Sequence, residues 1–369
     1  MFATRTQRFV YQHFLKPWFF RRDPEMVHDQ MCRLGHRLGR FHAGRTCLST
    51  LMVYRHPMLE QTVCGIRFKN PVGLTAGFDK NAELTQVIPS VGFGFEVVGS
   101  VTARPCEGNP KPRLWRLPKS KGLVVYYGLK NDGADQIQRR LRDQSFEIPI
   151  GISVAKTNDA ASVGVNEGIN DYIQSLKVLS QTGDFIVINV SCPNAYGGET
   201  FVDPDLLERL LSRVDQLQLT KPLFLKLPVD LTTKQLDALC EVIDLHQVDG
   251  LILSNLTKER SRKEIDQTEL VQAGAGGISG APTKQASTEL IRHAYRSTQG
   301  RYVIVGVGGI FSAEDAYEKI CAGASLVQLA TGMIFEGPQL IGEINKGLVK
   351  LLTRDGFDSI TEAIGSAHR

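Results

Sequence analysis

The segment Asn189-Val190-Ser191-Cys192-Pro193-Asn194 sets a thiol between two primary amides and ahead of a Gly197-Gly198 pair. A thiol ionises near pH ~8.5 and reaches the thiolate with modest help from its surroundings, so Cys192 can act as a general base. A cysteine without such neighbours is more often a small buried hydrophobe. Two lysines stand in comparable places, Lys80 after Ala76-Gly77-Phe78-Asp79 and Lys226 near the end of an apolar run. An ammonium group in a barrel mouth is costly unless it meets an anion, which here means a phosphate, a carboxylate or an electron-rich ring. Ser254-Asn255 adds a further amide, and Asn189, Asn194 and Asn255 together suit a planar, amide-rich ring. Gly306-Val307-Gly308-Gly309 and Thr331-Gly332 let backbone N–H groups come close to a phosphate, although tight turns use glycine as well.

These residues fall at the ends of a regular series. Eight short apolar runs, at 72–76, 95–101, 149–155, 185–190, 223–227, 250–254, 302–306 and 325–330, alternate with helix-like stretches. Near-continuous apolar runs rich in β-branched residues predict parallel strands buried on both faces. Asp203-Pro204 opens a helix over 206–217, and Ser312 with Asp315 caps one over 316–322 that Gly323 stops. The pattern predicts an α/β fold, a closed (β/α)8 TIM barrel, with its active site at the C-terminal strand ends and its phosphate site near the last two strands. An open doubly wound sheet fits less well, because no dinucleotide fingerprint follows the first strand. Residues 62–68, broken at Gly65, predict a hairpin at the barrel floor.

The N-terminus differs in character. Residues 1–45 hold nine Lys/Arg against three acids, a charge of +6 in a chain of +4, so residues 46–369 carry −2. Phe9-Val10, Phe14-Leu15 and Trp18-Phe19-Phe20 precede Asp23-Pro24, which starts a helix with Val27, Met31, Leu34 and Leu38 on one face. Two amphipathic helices with a basic rim suit either an interfacial membrane anchor or a helical pair packed on the barrel. The expected division is therefore an extension over 1–45 and a catalytic barrel over 46–369. The modest total charge gives no case for nucleic acid. The seven scattered cysteines form no C-x-x-C pair, which argues against a zinc site or disulfide framework and for a reducing compartment. No apolar run reaches the roughly 20 residues of a membrane span, and the N-terminal arginines interrupt any signal-peptide core.

At this level of detail the chain resembles the dihydroorotate dehydrogenases over nearly its whole length. The resemblance is carried by residues 70–80, 99–105 with 108–113, 189–194, 276–280, 306–310 and 322–327. The helical extension with Asp23-Pro24-Glu25 resembles the class 2 enzymes, which sit on membranes and pass electrons to a quinone. The resemblance implies FMN held by Ala76, Gly77, Ser100, Asn189, Lys226, Ser254, Gly280, Gly308, Gly309 and Thr331. It implies dihydroorotate or orotate held by Lys80, Asn189, Asn194 and Asn255, with Cys192 as catalytic base and Lys226 as a countercharge to the flavin. Arg104 is expected near a quinone tunnel under the N-terminal helices. The expected location is peripheral, on the cytoplasmic side of a membrane.

Three positions depart from the family pattern. Class 2 members carry serine where Cys192 stands, and cysteine is the habit of the class 1 enzymes. Val125 replaces a substrate-binding asparagine, and Leu256 replaces a threonine. These departures motivate one alternative, an FMN oxidoreductase acting on another pyrimidine-like ring or using a soluble acceptor such as fumarate or NAD. The other alternative is a flavin- or phosphate-binding barrel without turnover.

Overall fold

The computed structural model describes residues 2–192 and 200–369. Its centre is a closed barrel of eight parallel strands in sequential order: β1 (Val72–Leu74), β2 (Phe95–Val101), β3 (Ile150–Val154), β4 (Phe185–Asn189), β5 (Leu223–Leu227), β6 (Gly250–Leu253), β7 (Val303–Val307) and β8 (Leu326–Leu329). Each coincides with one of the eight apolar runs to within a residue or two. The helices Pro204–Asp215 and Ala313–Cys321 begin at the expected caps: Asp203 accepts from Leu206 N–H, and Ser312 accepts from Asp315 N–H.

Side chains alternate along the strands between two apolar layers. Phe95, Phe185, Phe224 and Val305 fill the barrel, whereas Val98, Ile152, Ile186 and Leu225 meet the surrounding helices. Phe68 closes the floor from the hairpin Gln61–Val63 and Ile66–Phe68, with its ring edge-on to Phe95 at 5.4 Å. The hairpin lies where residues 62–68 place it.

Two elements go beyond the sequence reading. A three-stranded antiparallel sheet of Leu114–Leu117, Gly122–Val125 and Gly277–Gly280 roofs the barrel mouth. Its local sign is the β-prone run Leu123-Val124-Val125-Tyr126-Tyr127, which holds most of the strand Gly122–Val125. The N-terminal helices also run on to Met52: α1 (Phe2–Val10), a turn over Tyr11–Leu15, α2 (Lys16–Phe20), α3 (Pro24–Arg40) and α4 (His42–Met52). They pack on the barrel, with Tyr11 donating to the Ile334 carbonyl at 2.6 Å, Arg8 paired with Glu343 at 2.6 Å and Phe20 edge-on to Phe335. Phe9, Val10, Phe14, Leu15 and Trp18 nevertheless remain exposed. Among the described residues no helix is long and apolar enough to cross a membrane.

Candidate active site

The loop after β1 shows how local chemistry positions a side chain. The buried Asp79 carboxylate accepts from Glu83 N–H at 2.9 Å and Leu84 N–H at 2.7 Å, and the Asp79 carbonyl accepts from Gly99 N–H. This knot fixes the residue before Lys80. Gly77 has φ +97°, a conformation that disfavours any side chain, and a Cβ there would meet no protein atom within 4 Å. The space it faces is the pocket. Lys80 projects into that pocket, its Nζ 3.0 Å from His28 Nε2 and 4.0 Å from the centre of the Tyr127 ring. Burial pushes the Lys80 ammonium down to about 8.

Across the barrel, Asn189 ends β4. Its Nδ2 donates to Ser100 Oγ at 2.7 Å, and its Oδ1 accepts from Ser191 Oγ at 2.9 Å. Asn255 Nδ2 donates to the Ser191 carbonyl at 2.7 Å. Ser100 Oγ lies 2.7 Å from Ser153 Oγ, so a hydrogen-bonded chain from Ser153 to Asn255 runs under the strand end that carries Cys192. Lys226, in register with Asn189 on β5, is buried and likewise pushed down to about 8 by desolvation. Cys192 lies within electrostatic reach of both Lys226 and Lys156.

At the β7–β8 corner, Gly308 has φ +123° and Gly309 φ +68°, and a Cβ on Gly309 would fall 2.3 Å from Lys284 Cβ. Glycine is required there by both conformation and space. Among the described residues, neither glycine's N–H is used in a hydrogen bond.

One pocket takes in Ala76, Gly77, Lys80, Ser100, Asn189, Cys192, Lys226, Ser254, Asn255, Gly280, Gly308, Gly309 and Thr331, together with Val125 and Leu256. Asn194 lies outside the described residues. Arg104 is a correction: among the described residues its guanidinium pairs with Asp159 at 2.8 Å and Asp171 at 3.1 Å, and with no residue of the N-terminal helices. The arginines that do meet the extension are Arg113, paired with buried Glu25 at 2.8 Å, and Arg116, which donates to the Arg22 carbonyl. Two acids near Arg104 attract it more strongly than an apolar helix underside could.

Besides Ser254, the pocket holds Thr75, Tyr127 and Gln328, which sequence reasoning passed over. Among the described residues, Thr75 Oγ1, Tyr127 OH, Ser254 Oγ and Gln328 Nε2 are buried polar atoms without a hydrogen-bond partner, and all four residues line the pocket. Leaving such atoms unsatisfied is costly, so they mark where a polar, ring-shaped ligand fits. Thr75 and Gln328 interrupt otherwise apolar strand runs, a signal that was available. Nothing in the sequence pairs His28 with Lys80.

A parallel eight-stranded barrel with glycine-lined corner, buried lysines and orphaned polar atoms at its C-terminal mouth defines a TIM-barrel protein with a ligand site of the usual placement. Residues 58–352 match the family model described as dihydroorotate dehydrogenase. Relatives named dihydroorotate dehydrogenase (quinone) include one from Gloeobacter violaceus, 40% identical over 95% of this chain and 98% of its own. Another, from Trichormus variabilis, is 39% identical over 96% of this chain and 98% of its own. The solved DHODH of Eimeria tenella in complex with ferulenol superposes with a TM-score of 0.84 at 30% identity, covering 94% of this chain and 96% of that one. The chain belongs to the dihydroorotate dehydrogenase family.

Proposed function

We propose that this protein oxidises dihydroorotate to orotate in pyrimidine biosynthesis, with FMN as resident cofactor and a membrane quinone as electron acceptor. The observation that carries the reading is the pocket itself, where a thiol, two buried lysines and four orphaned polar atoms face one space. A flavin's amide-edged ring matches Thr75, Ser254 and Gln328, and its phosphate matches the open N–H groups of Gly308 and Gly309 with Thr331 beside them. When bound, FMN supplies the hydride acceptor.

The chain's own residues do the rest. Lys80 pairs with the substrate carboxylate, and Asn255 with Asn194 orients the ring. Asn189 is committed to Ser100 and Ser191, so its contribution is to hold the Cys192 strand end in place. Cys192 as thiolate takes the proton from the ring carbon next to the carbonyl-bearing edge and becomes a thiol, as the C–C single bond becomes double. The nearby Lys226 and Lys156 ammonium groups favour that thiolate.

The family names supply the quinone expectation, and the exposed apolar residues of α1 and α2 supply the membrane one. Phe14 is 62% and Trp18 46% exposed, beside Arg21 and Arg22, which suits shallow, reversible insertion at an anionic surface. The test is steady-state turnover of dihydroorotate with a short-chain quinone, fumarate or NAD, in the presence of anionic vesicles. Quinone is expected to be the fastest acceptor, the released cofactor to be FMN, and Phe14→Glu with Trp18→Glu to abolish vesicle co-sedimentation. Faster turnover with fumarate or NAD, release of FAD, or undiminished sedimentation of the double variant contradicts the corresponding part.

A further inference from the structure

We propose that His28, carried by the N-terminal extension, is a positioning residue for Lys80, so that docking of α3 sets the pocket's affinity for a carboxylate ligand. The proposal rests on the reading that Lys80 meets the substrate carboxylate.

The geometry is specific. Among the described residues, His28 lies within hydrogen-bond distance of one polar side chain that belongs to the barrel, Lys80, with Nε2 and Nζ 3.0 Å apart. An ammonium group has only donors, so Nε2 must present its lone pair and the ring proton must sit on Nδ1. The imidazole is therefore neutral. Burial and the neighbouring Lys80 and Lys130 charges hold His28 well below its ordinary range, and its ring also hydrogen-bonds the backbone at Phe78. Phe78 packs edge-on against it at 4.9 Å, and Cys32 Sγ lies 3.5 Å from Nε2 on the same helix.

The helix that carries His28 is itself anchored. Asp23 caps α3 by accepting from Met26 N–H at 2.7 Å. One turn before His28, Glu25 is buried and accepts from Arg113 Nη2 at 2.8 Å and from Nε at 3.1 Å. Arg113 directly precedes the roof strand Leu114–Leu117, so the extension, the roof and Lys80 form one assembly.

The consequence concerns the aim of the ammonium group. One N–H is spent on His28 Nε2, and the Tyr127 ring face lies 4.0 Å from Nζ. These two contacts fix the direction of the remaining donors, which is what a carboxylate needs for short charge-assisted bonds. Without His28, a flexible four-carbon stem must be ordered by the ligand, which weakens binding. The effect belongs to the carboxylate and not to the ring or the flavin.

The test uses the full-length, flavin-loaded protein. Affinities for orotate and for uracil, a ring without the carboxylate, are read from the perturbation of the flavin spectrum. His28→Leu is expected to weaken orotate about tenfold, the scale of one hydrogen bond to a charged group. Uracil affinity and flavin content are expected to stay unchanged, and His28→Gln, whose amide oxygen can accept from Lys80, to recover most of the loss. In protein labelled with 15N-histidine, the His28 Nε2 resonance is expected to report an unprotonated acceptor and to shift in Lys80→Met. Equal loss for both ligands, unchanged orotate affinity in His28→Leu, or a resonance indifferent to Lys80→Met overturns the proposal. If the unaltered protein binds no orotate, the substrate reading falls, while the resonance still decides whether His28 holds Lys80.

Discussion

At the barrel floor, Gly73, Gly151 and Gly250 each pair in register with a phenylalanine of the neighbouring strand: Phe95, Phe185 and Phe224. A Cβ on Gly151 would lie 2.3 Å from the Phe185 ring, and one on Gly73 would lie 2.3 Å from the Phe95 ring. At the mouth, Gly77 has positive φ, and a Cβ there would meet no protein atom within 4 Å, only the cavity. Glycine at the floor makes room for protein; Gly77 at the mouth makes room for a ligand. Polar groups follow the same division. The rings Phe68, Phe95, Phe185 and Phe224 form a dry stack at the floor, whereas the mouth retains Thr75, Tyr127, Ser254 and Gln328 with unsatisfied atoms. The floor is packed with apolar rings and the mouth is lined for chemistry, and each end should be breakable without the other.

The largest effect is expected at the mouth. Cys192→Ala should slow reduction of the bound flavin by dihydroorotate about 10²–10⁴-fold, the range for losing a general base. Stopped-flow absorbance checks this, with Tm and flavin content expected to stay unchanged. Cys192→Ser should retain part of the rate with its optimum moved to higher pH, since a hydroxyl gives up its proton less readily. Near-normal reduction by the alanine variant would remove the distinction between the two ends at its most important residue.

The mirror experiment is at the floor. Phe185→Ala should cost about 3–5 kcal/mol of stability by opening a cavity among close-packed rings. Chemical denaturation measures that loss, and orotate affinity of the protein that remains folded should stay unchanged. A parallel loss of orotate affinity would show that the ends are mechanically coupled.

A smaller effect follows from charge. Burial pushes the Lys80 and Lys226 ammonium groups down to about 8. A carboxylate bound at Lys80 raises that value, so above about pH 8 binding must take up a proton. Orotate affinity should therefore be flat below about 8 and fall by up to about tenfold per pH unit above it. Lys80→Met should bind weakly and lose this slope. A titration in which the slope survives in Lys80→Met assigns it to Lys226 instead.

Much of this division was legible in the sequence, for physical reasons that can be named. Parallel strands buried on both faces leave uninterrupted apolar runs, so all eight barrel strands could be located and the residues just beyond them taken as the mouth. Ser100, Asn189 and Lys226 lie within those runs, and polar groups there cannot be idle. The roof sheet was hidden because its strand pairs Gly122–Val125 with Gly277–Gly280, a contact that no local pattern encodes. Arg104 was misplaced for a similar reason, since Asp159 and Asp171 reach it only after the chain folds. His28 was missed because a histidine on an amphipathic helix looks the same whether it faces solvent or an active-site lysine. Val125 and Leu256, read as departures from the family pattern, do line the pocket and give it an apolar edge.

Dihydroorotate oxidation at the mouth is tested most directly by a single anaerobic mixing of the purified, flavin-loaded protein with dihydroorotate, followed by absorbance at the flavin band. The expected result is bleaching to completion with one orotate formed per flavin, and no bleaching with dihydrouracil at the same concentration. A flavin that stays oxidised with dihydroorotate, or that bleaches faster with the carboxylate-free ring, contradicts it.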